Sequence, residues 1–328
     1  MVLTKTQKRI LVYIIAIVVS SYIWFVNGIL FGNTFTVCLI LSTTTFLIIV
    51  TPFEIYFSFR DLYFERWNPF YDDKITKIKY HIKVKEGFLR ADLVRLGNNE
   101  INETNNTIIV ISPGFSDKKE SLEYLYYPLV TQGYEILVYD ARGIGESKKA
   151  GHRGDMTKRL DDFRTIINWI KTNQKFKNKR IFAIGVSIGA LTIFCSSFRD
   201  REVKKMVGLS CISKYKKNVM NARGIVKLSF SLKGIDLNPS EEEDKLLSPY
   251  NVFKSAKKDF PKEEWQILSK RVMLIHAKND NIIPFENFVE NSRILDLPET
   301  NQLILEKGGH NQKKNELAIV GAIIRFLN

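Results

Sequence analysis

Residues 10–53 contain no Asp, Glu, Lys or Arg. This uncharged stretch of 44 residues is long enough for two bilayer spans, since one needs about 20 apolar residues. Asn27, Gly28, Gly32 and Asn33 divide it near its middle, which predicts spans over roughly 10–26 and 34–50, with Pro52 stopping the second helix. A hairpin of two helices satisfies its own backbone, as a hydrocarbon environment demands.

Lys5, Lys8 and Arg9 precede the first span, the loop is uncharged, and Arg60 and Arg66 follow the second. The positive-inside rule then puts both ends, and whatever follows, in the cytoplasm. Basic residues before an apolar run also fit a cleaved signal or a single span, but no small-residue cleavage site follows the first span. Tyr22, Trp24, Tyr56, Tyr63 and Trp67 suit interfacial belts. The chain carries 49 Lys+Arg against 35 Asp+Glu, a net charge of +14, which fits an anionic membrane surface as neighbour. Nucleic acid is the other acidic partner such a charge suggests, yet the lysines are scattered rather than interleaved with aromatic residues, so no nucleic-acid partner is expected. Cys38, Cys195 and Cys211 cannot form a disulfide framework and are expected as small buried side chains in a reducing compartment. Sequons occur at Asn102 and Asn105, and a cytoplasmic domain would leave both silent.

From about residue 76 the pattern changes to short apolar runs alternating with helical periodicity. Residues 78–84 and 89–96 can pair as half-buried strands, and runs at 107–111, 135–139, 180–184, 205–209, 272–276 and 302–305 have the composition of strands covered on both faces. Between them Leu160, Phe163, Ile166, Ile167 and Ile170 share one helical face, with Asp161, Asp162 and Arg164 outside it. Helices are also expected over 120–131, interrupted at Pro128, and over 315–327. Such alternation predicts a mainly parallel sheet with helices on both faces. Residues 214–265 break the rhythm and read as an irregular insertion above the sheet. The expected organisation is a membrane hairpin over 1–60, a linker over 61–75 and a catalytic domain over 76–328.

Gly185-Val-Ser187-Ile-Gly189 follows the apolar run at 180–184 and opens a run of small and apolar residues. A serine at the tip of a tight strand-to-helix turn is held in a strained conformation, and glycines two before and two after let strand and helix approach. Ser187 is therefore the candidate nucleophile, and its hydroxyl needs a base. Of four histidines, His81 lies in an early strand, His152 in a polar loop and His276 at a strand end. His310 follows Gly308-Gly309 just after the last strand, which brings it to the carboxyl end of the sheet with Ser187. Asp280, after the strand ending at His276, is the carboxylate to orient it. A tetrahedral intermediate needs two N–H donors; Ile188 supplies one, and Phe115 in Ser112-Pro113-Gly114-Phe115 is the choice for the other. No cofactor or metal is expected.

With these residues in place the chain resembles the α/β-hydrolase-fold serine hydrolases. The elbow at 185–189, the stretch from His276 through Asp280 to Pro284, and Gly308-Gly309-His310 match that family's landmarks over about residues 76–328. Asp140-Ala-Arg142-Gly-Ile-Gly145-Glu-Ser147 matches a loop that is structural in the family, while Ser112-Pro113-Gly114 replaces its more usual His-Gly. The insertion at 214–265 resembles the family's variable lid. The resemblance implies acyl transfer through an acyl-enzyme, and the hairpin makes the bilayer a partner and a lipid or acyl ester the first-choice substrate. Thioester hydrolysis, peptide hydrolysis and a non-catalytic membrane-tethered binding role are the alternatives.

Overall fold

A computed structural model of the chain describes residues 5–64, 74–97 and 106–328. Asn102, Asn105, Arg66, Trp67 and most of the expected linker lie outside the described residues. Two compact units are present, Met1–Glu65 and Arg66–Asn328.

The first unit is a pair of helices, α1 (Lys5–Phe25) and α2 (Phe35–Phe64). Two segments are long and apolar enough to cross a membrane, Gln7–Leu30, which takes in most of α1 and the turn after it, and Phe35–Phe57 within α2, and only 11% of each is buried. Ile10, Ile14, Ile17, Val18, Ile40 and Ile48 are exposed, so the pair does not hide its apolar surface in a core of its own. The charges bounding the stretch meet each other: Arg9 Nε and Nη2 donate to the Glu54 carboxylate at 3.0 and 2.7 Å. Midway, Ser42 Oγ donates to the Ser20 carbonyl at 3.1 Å. Of the four residues expected to divide the stretch, Asn27 and Gly28 lie in a wide helical turn, Val26–Leu30, and Gly32 and Asn33 make the break. Pro52 does not stop α2, which runs twelve residues beyond it. A proline removes one donor from the ladder, and the turns on either side carry the helix across that gap.

In the second unit, β1 (Ile75–Val84) and β2 (Gly87–Leu96) form an antiparallel hairpin. The remaining strands are β3 (Thr107–Ser112), β4 (Glu135–Tyr139), β5 (Arg180–Val186), β6 (Val203–Leu209), β7 (Val272–Ala277) and β8 (Gln302–Leu305). They form one sheet in the order β1-β2-β4-β3-β5-β6-β7-β8, parallel from β4 onwards. Period-two alternation sends neighbouring side chains to opposite faces. Ile108 and Val110 join a cluster with Phe163, Ile166 and Ile170 of α4 (Met156–Thr172), whereas Ile109 and Ile111 pack towards Leu125 and Leu129 on the other face. Those two leucines belong to α3 (Glu123–Thr131), which continues through Pro128 rather than breaking there. Asp162 is buried, contrary to expectation, because its helical position lies beside Phe163 and one turn from Arg159 and Ile166. Its carboxylate accepts two bonds from Arg142, at 2.8 and 2.7 Å.

After β5 comes α5 (Ile188–Ser197), and after β6 the segment expected to be irregular is helical: α6 (Tyr215–Asn221), α7 (Gly224–Leu232), α8 (Glu241–Leu247), α9 (Pro249–Asp259) and α10 (Lys262–Lys270). The acidic run opens α8, where Ser240 Oγ accepts from the Glu243 N–H at 3.1 Å and Glu243 accepts from the Ser240 N–H at 3.0 Å. That reciprocal cap and four acids in the first turn suit a helix N-terminus. The insertion also divides in two. Phe253 of α9 packs edge-on against Phe194 and Phe198, and Trp265 of α10 is buried in the same layer, so α9 and α10 cover the sheet. The cap proper comprises α6 to α8, whose Tyr215, Val219 and Leu247 are buried with Phe115, Ile188 and Leu191. The chain ends with α11 (Glu286–Leu295) and α12 (Glu316–Leu327).

Candidate active site

Ser187 stands between β5 and α5 at φ 54° and ψ −116°, a conformation few non-glycine residues adopt. It is fastened there by its N–H, which donates to the Leu209 carbonyl at 2.7 Å. Both flanking glycines are sterically required. A Cβ on Gly185 would lie 2.4 Å from the Gly189 carbonyl oxygen, and one on Gly189 would lie 2.1 Å from the Ser112 carbonyl oxygen.

The three side chains chosen from sequence come together. His310 Nε2 is 3.0 Å from Ser187 Oγ, and His310 Nδ1 is 2.8 Å from Asp280 Oδ2. Asp280 is ionised and Nδ1–H donates to it, which leaves Nε2 to accept from the serine hydroxyl. The other carboxylate oxygen, Oδ1, accepts the N–H groups of Ile282 and Ile283, both at 2.9 Å. Burial works against the charge on Asp280, but His310, His276 and the Ile283 N–H outweigh it and hold the carboxyl below its ordinary value.

The loop after β3 lies against the first turn of α5, since the carbonyl oxygens of Ser112 and Pro113 are the atoms nearest Gly189. Four side chains fix it. Ser112 Oγ bonds Tyr139 OH at 2.9 Å, and Asp117 Oδ2 accepts the Gly114 N–H at 3.2 Å. Buried Arg159 donates through Nη2 to the Pro113 carbonyl at 2.9 Å and the Gly114 carbonyl at 3.5 Å. Lys233 donates to Ser116 Oγ at 2.8 Å. A trans peptide sets its C=O and N–H in opposite directions, so holding the Gly114 carbonyl towards Arg159 turns the Phe115 N–H away from it. Among the described residues neither the Phe115 nor the Ile188 N–H has an acceptor in the protein.

Comparison with known proteins bears on the fold. A family profile described as "Serine aminopeptidase, S33" matches residues 103–243, a little under half of the chain. The esterase Pf2001 of Pyrococcus furiosus superposes with a TM-score of 0.55 at 17% identity, over 80% of this chain and 97% of that one. Est1E of Butyrivibrio proteoclasticus, with ferulic acid bound, gives 0.55 at 17% identity over 76% and 97%. The acylaminoacyl peptidase of Pyrococcus horikoshii gives 0.57 at 18% identity, over 78% of this chain and 42% of that one. By fold, the chain is an α/β-hydrolase. Two Escherichia coli proteins, each described as "Uncharacterized 31.7 kDa protein in traX-finO intergenic region", are 29% identical over 134 residues. That match takes in 40% of this chain and spans 44% of the relatives' own length.

Elsewhere in the α/β-hydrolase unit, the Asp140–Ser147 motif turns its groups inward on the backbone. Asp140 accepts the N–H groups of Lys119 and Glu146 at 2.9 and 2.8 Å, and Ser147 Oγ accepts that of Arg90 at 2.8 Å. His81 and His152 are exposed, and His152 Nδ1 accepts the Gly154 N–H at 3.2 Å. His276 is buried, with Nε2 donating to the Ile283 carbonyl at 2.9 Å and lying 3.5 Å from Asp280 Oδ2. Burial lowers its pKa despite that carboxylate. The His310 loop is carried by residues the sequence did not single out. Asn279 Oδ1 accepts the Gly309 N–H at 2.9 Å, Asn315 Nδ2 donates to the Lys307 carbonyl at 2.7 Å, and Gln312 Nε2 donates to Ser210 Oγ at 3.1 Å. Their only sequence signal is proximity to Asp280 and His310. Arg159 had none beyond being a charge on an apolar helical face. The three cysteines are buried and unpaired.

Proposed function

We propose that this α/β-hydrolase is a membrane-anchored serine hydrolase that cleaves carboxylic esters, with lipid or acyl esters as its substrates. The observation that carries the proposal is the His310 imidazole, within hydrogen-bond reach of Ser187 Oγ on one side and Asp280 on the other. Ser187 Oγ attacks the ester carbonyl carbon while His310 Nε2 takes the hydroxyl proton, and Asp280 stabilises the resulting imidazolium. The oxygen anion of the tetrahedral intermediate accepts from the Phe115 and Ile188 N–H groups, each worth about 10²–10³ in rate. The C–O bond to the alcohol breaks, His310 returns the proton to the departing oxygen, and the acyl group stays on Ser187. Water then attacks the acyl carbon as His310 takes its proton, the bond to Ser187 Oγ breaks with that proton returned to Oγ, and the acid leaves.

The apolar helices α1 and α2 support a two-span anchor with both ends in the cytoplasm. Such a tether confines the enzyme to a membrane, where lipid esters are concentrated. Deleting residues 1–64 should move the protein from the membrane pellet to the soluble fraction; retention in the pellet would remove the anchor.

The family description and the acylaminoacyl peptidase favour a second reading, in which the same centre releases an amine from a peptide. The test is labelling by a fluorophosphonate probe, followed by turnover of 4-nitrophenyl esters and peptide 4-nitroanilides. Wild type should label, Ser187→Ala and His310→Ala should not, and esters should be the faster class. Equal labelling of folded Ser187→Ala would refute the mechanism, and faster nitroanilide turnover would assign a peptidase.

A further inference from the structure

Lys233 follows the last residue of α7 and reaches down to the loop that carries Phe115. Its ammonium donates to Ser116 Oγ at 2.8 Å and stands 5.4 Å from the centroid of the Phe115 ring. Other sheltered cations of this unit are matched by carboxylates or by several backbone carbonyls, as Arg159, Lys205 and Arg271 are. Lys119 faces Asp92, Asp140 and Glu146, Arg142 holds Asp162 and Glu86, and Lys214 reaches Glu290. Lys233 is half-buried, and among the described residues no carboxylate pairs with it. The neighbouring segment adds charge of the same sign. Gly154 packs against the Gly234 carbonyl so closely that a Cβ there would stand 2.1 Å away, and Arg153 precedes it, also with no carboxylate partner among the described residues. Burial and the nearby Arg153 both lower the Lys233 pKa, so holding this proton costs free energy. The segment that carries it is basic: residues 203–235 contain no Asp or Glu and eight Lys or Arg, of which Lys214, Lys216 and Lys217 pair with Glu290 and Glu241, and the carboxylate of Asp117 beside Ser116 accepts from the Gly114 N–H.

A desolvated cation without a counterion is expensive unless something else supplies the negative charge. We propose that Lys233, with Arg153 beside it, is an anion subsite next to the oxyanion loop, and that the enzyme selects esters bearing a phosphate or carboxylate group. The inference rests on the reading of Ser187, His310 and Asp280 as the hydrolytic centre, and it narrows the substrate class of that centre. A hydrogen bond to a charged group, once partly shielded from water, corresponds to about a tenfold or greater preference over a neutral isostere.

Two matched pairs test it on the full-length protein in neutral detergent. One sets 1-oleoylglycerol against 1-oleoylglycerol 3-phosphate, with the anion on the alcohol side. The other sets 4-nitrophenyl butyrate against mono-4-nitrophenyl succinate, with the anion on the acyl side. In at least one pair kcat/KM should favour the anionic member about tenfold or more; the first pair then indicates a phosphate head group and the second a carboxylate. Lys233→Met should bring that ratio close to one, with folding checked by thermal melting and by fluorophosphonate labelling of Ser187. Lys233→Arg should preserve it, and so should Ser116→Ala, which removes the hydrogen bond but keeps the charge. A Ser187-dependent enzyme that prefers the neutral member of both pairs overturns the subsite and leaves the esterase reading standing. A ratio that survives Lys233→Met, or one lost equally in Ser116→Ala, overturns it too. A folded wild type that neither labels nor turns over any of the four removes the esterase reading, and the subsite with it.

Discussion

Replacing Gly189 with alanine should separate catalysis from folding in this protein. The added Cβ would lie 2.1 Å from the Ser112 carbonyl oxygen and 2.7 Å from that of Pro113. Ordinary contact between such atoms needs well over 3 Å, so one side must retreat by about 1 Å. Ser112 ends β3, whose residues 108–111 are fully buried between β4 and β5, and it has little freedom to move. The displacement therefore falls on the loop from Pro113 to Phe115. An error of about 1 Å in a donor's position costs on the order of 10²-fold in rate, comparable with losing the donor. That loss belongs to kcat, with KM little changed, because the oxygen accepts fully from the Phe115 N–H only once it carries charge. Stability should change far less: overpacking costs about 1–3 kcal/mol, and alanine regains up to about 1 kcal/mol of helix propensity over glycine. Steady-state kinetics on a 4-nitrophenyl ester, with a thermal melt of the same sample, measures both. A folded Gly189→Ala enzyme whose kcat stays within about threefold of wild type would show that the loop does not hold the oxyanion donor.

Other perturbations probe the neighbouring contacts. Asp280→Asn removes the charge that orients His310 while keeping the shape, and kcat should fall by on the order of 10⁴-fold at nearly constant KM; a loss under tenfold would mean that another group sets the imidazole tautomer. Arg159→Met leaves the Pro113 and Gly114 carbonyls buried without their donor, and kcat should fall by about 10–100-fold. Unchanged kcat in a folded Arg159→Met protein would show that the loop keeps its shape unaided. His276 faces Asp280, the Ile283 carbonyl, His310, Glu286 and the rings of Phe285 and Phe288, and burial holds its pKa below the usual 6.5. Below that pH the unfolded chain takes up a proton that the folded chain refuses, so stability should fall as pH drops through the region under 6.5 and level off above it. Asp280 is shifted downward as well, so its own contribution is complete above its usual 3.8 and is lost only as pH falls further, through its folded value. Urea melts across pH should find the upper part of this acid limb flattened in His276→Gln, and an unaltered limb would assign the slope to other groups.

The pattern of apolar runs was enough to read the central strands, because a strand buried on both faces is apolar along most of its length, while β1 was read from period-two alternation and β2 as its partner. Ser187, Asp280 and His310 were legible for a related reason. The serine is marked by two glycines that its turn requires, and its partners follow strands that end at the same edge. The cap was harder. Its helices are short, and the whole segment read as irregular. That α9 belongs to the sheet's covering layer rather than to the cap depends on Phe253 meeting Phe194 and Phe198, residues more than fifty positions away. Asp162 reads as a solvent-facing helical charge until Arg142 arrives from the end of another strand.

By itself the sequence determined the periodicities, the elbow and the uncharged hairpin, each written within a few neighbouring residues. Only the tertiary structure decided which charges are paired. It turned Arg159 onto the carbonyls of the β3 loop, set His276 behind Asp280, and left Lys233 beside Phe115 with a hydroxyl in place of a carboxylate. The physical reason is range. Backbone preferences and side-chain alternation act over a few residues and repeat along the chain, whereas the partner of a buried charge is whichever group the folded chain brings within about 3–4 Å, and one sequence carries no record of that distance.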